Sequence, residues 1–502
     1  MFTRTSIIII AALLAGCAFT VGPQFEAPFA DWEEDWVASK QPLSNLPVSA
    51  AADDALWWSQ FDDPVLSQLI ETALKRNHNL RIAGFRVIES RARLRGSEAA
   101  QRPQQVELSA SSGKASTAAE FDDLSDADFR FVNAEFGIGW ELDFWGRFQR
   151  AVEASQAGYL ESLANFEDFK VILISEVARQ YFTYATLQMR LMILERNAAL
   201  QARSASITQS RYEAGEDSEL NVQQARAQYL ATVAAKPGLE DDLSQAQSAL
   251  AQLLGYTDLP PSFQLNTSTN LTDIPDSIVQ VLPADFLRRR PDVRAAYYRA
   301  AAASAAIGIA EAELYPSLSL FGSIGINQTS ALDSVSASAG PALRWNIFDF
   351  GRIRNNIRVQ DVRLEQALES YSETILQAAR EVDDTAITFQ KTQDQIALLE
   401  QSEAVSQRAY DIALIHFQEG FADFQRLLDA QATLLRQQDR LVAAQGLQAV
   451  VLTQVYKAMA GAWVTSLEQD YVLPTTRQKM RDRTNWGDLL TSPASGAGDN
   501  VQ

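Results

Sequence analysis

The chain has few of the residues from which active sites are built. Its 502 residues include one cysteine, Cys17, and two histidines, His78 and His416. A lone cysteine leaves no intrachain disulfide. Histidines this far apart, with no ligand spacing around them, offer no metal site. There is no nucleophile elbow and no phosphate loop; Gly137-Ile-Gly139 lies in a stretch of period two, where glycine marks close packing or a lumen-facing position. Basic residues are also short, 43 against 63 acidic, for a formal net charge of −20. That balance argues against nucleic acid as a partner, because phosphate binding needs a basic face. No catalytic residue, metal or cofactor is expected, so the chain reads as a non-enzyme. Beyond the first residues, no apolar run is long enough for a membrane-spanning helix. Further membrane contact would have to come from strands.

The chain opens "MFTRTSIIIIAALLAGC", with one positive charge at Arg4 and an apolar run from Ile7 to Leu14. The run is too short to span a bilayer and has the layout of a signal peptide, residues 1–16. "LAGC" resembles a bacterial lipobox, in which the cysteine becomes the new N-terminus and carries covalent lipid (palmitate). The alternative is a buried free cysteine behind an ordinary cleavage site. Ala18, rather than aspartate, fits sorting to the outer membrane by analogy with known lipoproteins. Residues 17–63 then form a lipid-anchored, extended N-terminal segment.

Two offsets tie one half of the chain to the other. "RNHNLRIAGFRV" (76–87) aligns with "RRPDVRAAYYRA" (289–300), and "WELDFWGR" (140–147) with "WNIFDFGR" (345–352). Repeats this long indicate one architecture built twice. The first copy spans 64–255 and the second 284–463; a linker at 256–283 separates them, and 464–502 form an equatorial and disordered tail. Each copy reads helix, two strands, long helix, glycine break, returning helix. Pro291-Asp292 suits a helix start and Gly255 a stop. The long helices cover about 147–212 and 352–418. Ile357, Leu364, Tyr371 and Ala378, with the accompanying row Leu368, Ile375, Val382, Phe389 and Ile396, make a heptad seam in the second. Val152, Tyr159, Phe166 and Leu173, then Leu163, Val177, Tyr184 and Leu191, match them in the first, with Lys170 interrupting. Pro237-Gly238 should kink the first returning helix.

Four segments alternate with period two: 106–113, 130–145, 317–327 and 334–348. In the second, Val132, Phe136, Ile138, Trp140 and Leu142 alternate with Asn133, Glu135, Gly137, Gly139 and Glu141. Such strands fit a transmembrane barrel. Four cannot close one, since about eight are the minimum, and open edges cannot sit in lipid. A barrel would be shared between chains. The acidic loop 120–128 between the first two strands would face outside.

The breaks "RYEAGEDSEL" (211–220) and "GFADFQRLLDAQATLL" (420–435), with "WWSQFDDPVLSQLIETALKRNHNLRIA", "LRRRPDVRAA", "YPSLSLFGSIG" and "WNIFDFGRIR", resemble the TolC-like outer-membrane efflux factors, in their lipoprotein branch. The resemblance covers nearly all of the chain after Cys17. It implies an α+β membrane protein: a homotrimer whose twelve-stranded outer-membrane β-barrel continues into a twelve-helix periplasmic α-barrel. The implied partners are a periplasmic adaptor, an inner-membrane pump of RND type, and outer-membrane lipid. The implied function is a passive exit duct for small toxic compounds. A duct for type I protein secretion and a non-pore, lipid-anchored scaffold remain the alternatives. Gly215 and Gly420 allow the backbone torsion a tight reversal needs, and Ser218 and Asp423 are placed to cap the returning helices. These four and Leu220 are the expected adaptor-docking tips. Asp429 is the implied periplasmic gate residue, with Gln425 beside it. Three converging carboxylates would make the constriction sensitive to pH and cations; read without the family, Asp429 is a solvated residue paired with Arg426. Gln425 stands where close relatives have an apolar residue, and Ala432 where they have arginine. The first-half break has Gln224 in place of Asp429. Arg288–Arg290 read as ion-pair partners in the equatorial belt, and Trp57–Trp58 as packing against it.

Overall fold

The computed structural model describes residues 20–26, 54–117, 127–263, 265, 288–329, 333–459 and 471–490. Cys17, the signal peptide, most of the 256–283 linker and residues 120–126 of the acidic loop lie outside them.

A 3-10 segment, Asp54–Phe61, leads into α1 (Pro64–Arg76) and α2 (His78–Ala99). Asp63 starts α1 by accepting the amides of Val65 and Leu66 at 2.8 and 3.1 Å, and Pro64 occupies the first turn. Asn77 divides the helices. Its Oδ1 caps Leu80 N, and its Nδ2 donates to Leu253 O, each at 2.9 Å. Strands β1 (Gln105–Thr117) and β2 (Ala127–Leu142) follow, then α3 (Arg147–Glu213) and the returning helices α4 (Glu219–Ala234) and α5 (Lys236–Leu253). The break between α4 and α5 falls at Ala235, where Pro237 cannot supply an amide to the preceding turn. After the linker the order recurs: α6 (Pro291–Ala312), β3 (Ser317–Thr329), β4 (Asp333–Arg344), α7 (Arg352–Gln418) and α8 (Phe424–Ala458).

The long helices α3 and α7 have 67 residues each, on the order of 100 Å. Both start from the same device. Gly146 and Gly351 take left-handed torsions, φ 75° and 88°. An aspartate just before each glycine accepts amides of the new helix: Asp143 from Phe148 and Gln149, Asp349 from Ile353 and Gly351, at 2.7–3.1 Å. These backbone donors hold the Asp349 carboxyl below the usual carboxylate range. The repeated "DFWGR" and "DFGR" motifs are therefore helix starts.

The heptad seam is buried at Tyr371, Ile375, Ala378, Val382, Phe389 and Ile396, and at Phe166, Leu173, Val177 and Tyr184, whereas Ile357, Leu364 and Leu368, and Val152, Tyr159, Leu163 and Leu191, are only half-buried. Toward the tips the α3–α8 contact turns polar. Asn197 Nδ2 donates to Gln438 Oε1 at 2.9 Å, and Gln431 Nε2 to Ser204 Oγ at 2.6 Å, while the amide of buried Gln201 has no hydrogen-bond partner. Trp57 stacks on Tyr456 at 4.9 Å within the main core.

The four strands form one antiparallel sheet in the order β1-β2-β3-β4. β4 ends at Arg344, four residues short of the expected 348, and Trp345, Ile347 and Phe348 run on as exposed, non-strand chain. The C-terminal region also differs from the expected disordered tail. Residues 474–483 form α9 (Pro474–Arg483), and Val472, Met480 and Leu490 are buried against Ile88 of α2. Apolar burial holds this segment to the body; residues 491–502 lie outside the described set.

Candidate functional site

The register puts like with like across the sheet. Leu108 pairs with Phe136, Phe136 with Ile324, and Ile324 with Ala337; Ala134, Ile326 and Val335 form another such row. These apolar side chains share one face and are largely exposed. The other face carries Ser109, Glu135, Gly325 and Ser336 in one row, and Glu107, Gly137, Ser323 and Ser338 in the next. Ser323 and Ser338 hydrogen-bond across it at 3.0 Å. Among the described residues the outer strands, β1 and β4, each have one partner strand, so both edges of this sheet are open there. Around the sheet's base lie Trp140, the Trp145–Tyr315 stack (4.4 Å) and Trp345.

At the far end of the long helices, both chain reversals are Schellman motifs. In the first, Glu216 N donates to Arg211 O and Gly215 N to Tyr212 O, both at 2.9 Å. In the second, Phe421 N donates to His416 O at 2.8 Å and Gly420 N to Phe417 O at 3.2 Å. Gly215 and Gly420 both have φ 79°, which is why each break needs glycine. Ser218 caps its helix, accepting from Asn221 N at 3.3 Å. Asp423 does not: it sits at the cap position with extended torsions, but its side chain accepts no capping bond. The cap expected of Asp423 therefore does not form.

Arg211 ties the tips together. Its Nη1 donates to Phe417 O at 2.8 Å, and its guanidinium lies 5.1 Å from the Phe417 ring, which in turn meets Phe424 edge-on. Leu220 and Phe421 project from the two tips, 65% and 79% exposed. Asp429 is exposed on α8 and accepts from Gln425 Nε2 at 3.1 Å, so its partner is Gln425 rather than Arg426. Asp429 and Gln425 thus form one polar pair a turn apart. Among the described residues no group of three or more His, Cys, Asp or Glu is placed to hold a metal.

An ionic cluster that the sequence pattern only half disclosed joins four helices midway along the body. Arg290 is buried; its Nη2 binds Asp292 and Glu381, each at 2.8 Å, and its Nη1 donates to Ala458 O at 2.6 Å. Lys457 Nζ lies 2.8 Å from the other Glu381 oxygen. Burial pushes the Glu381 carboxyl up, but Lys457 and Arg290 outweigh it and hold it below its usual range. Asp168 of α3 faces the same cluster and moves the other way.

A model of the family described as outer membrane efflux protein matches residues 69–256 and 282–461, both long hairpins and all four strands. The chain belongs to the outer membrane efflux protein family. Its curated relatives include the probable outer membrane lipoprotein SilC of Salmonella typhimurium, 27% identical over 90% of this chain and 97% of that protein. The pyoverdine export outer membrane protein OpmQ of Pseudomonas putida is 30% identical, over 87% of this chain and 92% of its own. Among solved structures, the outer-membrane channel OprN superposes with a TM-score of 0.76 at 29% identity, covering 89% of this chain and 100% of that one. CusC, also at TM-score 0.76, is 26% identical over 88% of this chain and 100% of its own. The efflux protein thus shares the fold of known outer-membrane channels along nearly its whole described length.

Proposed function

We propose that this efflux protein is the outer-membrane exit duct of a tripartite pump, passively conducting small toxic compounds. Its periplasmic end would dock on an adaptor joined to an inner-membrane transporter of RND type. The sheet carries the reading: one face is apolar across all four strands, the other is mainly Gly, Ser and acidic, with Phe131 and Phe321 each lying over a cross-strand glycine, and both edges are open. An apolar face of this size fits lipid, and open edges cannot remain there unpaired. Three copies would close a twelve-stranded barrel, and their α3–α4–α5 and α7–α8 hairpins the twelve-helix tunnel beneath it. The matching element order of the two halves supports an internal two-fold repeat with the boundaries 64–255 and 284–463. Leu220, Phe421 and the two glycine reversals present an exposed surface for an adaptor. Asp429, bound to Gln425, would ring the narrowest point in three copies. Acylation at Cys17 supplies the anchor, consistent with a relative, SilC, named as a lipoprotein. The named cargoes of relatives differ, cations for CusC and pyoverdine for OpmQ, so family membership does not fix the substrate.

Planar-bilayer recording on purified protein, with its mass measured in detergent, tests this. A trimer that conducts, and conducts more with Asp429→Ala, is expected. A monomer, or protein that never opens a channel even as Asp429→Ala, overturns it. Palmitate labelling that persists in Cys17→Ala would place the acyl group elsewhere.

A further inference from the structure

Residues 20–26 lie as a strap across the start of α3, which follows β2, and the end of α6, which leads into β3. Val21 N donates to Trp145 O at 3.1 Å. Arg150, only 6% exposed, spends its guanidinium on the strap backbone: Nε donates to Val21 O at 3.1 Å and Nη2 to Gly22 O at 3.0 Å. Its remaining arm pairs with Glu153 at 2.7 Å. Thr20 Oγ1 reaches Gln149 at 3.2 Å, and Phe25 meets Tyr297 edge-on at 5.1 Å. The crossing itself needs two glycines. A Cβ on Gly22 would lie 2.5 Å from Gly308 Cα, and one on Gly308 would lie 2.7 Å from Val21 O. Gly22 also has φ 91°, unfavourable to any side chain. A buried arginine devoted to two carbonyls of an extended segment is costly unless that segment is in place.

We propose that Arg150, Gly22 and Gly308 are positioning residues: they clasp the strap and so set the depth at which the Cys17 anchor meets the membrane. The proposal rests on the acylation of Cys17 put forward above. Thr20 is three residues from Cys17, a reach of at most about 11 Å. The clasp lies beside Trp145 and Tyr315 at the base of the sheet, where aromatic residues mark the headgroup level. A short leash from this point delivers the acyl chain to the leaflet that the sheet's base would enter. Without the clasp, the next described element begins at Asp54, and the intervening contour would allow the anchor on the order of 100 Å of travel. The clasp therefore turns an anchor that could sit anywhere along the helical body into one aligned with the sheet.

Two variants test the proposal. Gly22→Val should release the strap without unfolding the body, since Gly22 lies in no helix or strand. Expected results are unchanged helical circular dichroism, unchanged palmitate labelling, cleavage within 20–26 accelerated about tenfold, and a several-fold lower yield of conducting trimer in the outer membrane. The second variant keeps the clasp but inserts a flexible Gly/Ser leash of about twelve residues after Ala18, roughly 20 Å of extra reach. If the clasp sets depth, this insertion lowers channel yield while the strap stays protease-resistant; a strap that merely glues α3 to α6 predicts no effect. A strap protected at the wild-type rate in Gly22→Val overturns the clasp, and full channel yield from the long-leash variant overturns its positioning role. Loss of labelling in wild type would refute acylation at Cys17 alone, leaving strap protection to report on the clasp.

Discussion

Asp168 shows how much a single residue's chemistry depends on its neighbours. Burial pushes its carboxyl up to about 6, the nearby charges of Asp292 and Glu381 adding to the effect while Arg290 and Lys457 oppose it. The unfolded chain holds this proton only below about 4. Between those values the folded state binds more protons, so stability falls as pH rises through about 4 to 6 and stays lower above. Asp168→Asn should therefore raise the melting temperature at pH 7.5, by the equivalent of up to about 2–3 kcal/mol. It should also flatten the pH dependence of unfolding in that window. Melting curves across pH 4–8 would check both, and a lower melting temperature at neutral pH would contradict the account. The arginine run 288–290 was readable as ion-pair material from sequence. Asp168 was not, because its partners come from α6, α7 and α8, far away along the chain.

The tips are where elements are made and ended. Both reversals could be read from sequence because a glycine after a long heptad run is a local signal, and the Schellman bonds form within six residues. Capping was less legible. Ser218 and Asp423 occupy equivalent places, yet only Ser218 accepts a capping amide. Ser218→Ala should then cost about 1 kcal/mol in local stability, while Asp423→Ala should cost close to nothing. Hydrogen exchange of the first-turn amides of α4 and α8 would read this, with faster exchange expected in α4 alone. Likewise, the aspartates before Gly146 and Gly351 were visible as a repeated motif, but their role as helix-start acceptors emerged only from geometry.

At the scale of the molecule, the two faces of the sheet decide where the protein can live. Ile324 and Ser323 are neighbours in β3 on opposite faces. Ile324→Lys should cost about 2–4 kcal/mol of membrane stability if its face meets lipid at mid-depth, and should deplete the protein from the outer-membrane fraction. Ser323→Lys should leave insertion intact and alter single-channel conductance instead. Equal depletion by both substitutions would contradict the assignment of faces.

Period and punctuation are local properties, and the sequence alone determined what depends on them: two long heptad helices, alternating strands, glycine reversals and a chain poor in catalytic groups. Tertiary structure decided the rest. It aligned four strands from two distant segments into one sheet with a continuous apolar face, because register follows the pairing of whole strands. It also folded residues 474–483 into a helix, held to the body by apolar contacts from the same segment with distant Ile88. Finally, it crossed Gly22 over Gly308 beneath a buried arginine, a contact between segments nearly 290 residues apart that no local pattern announces.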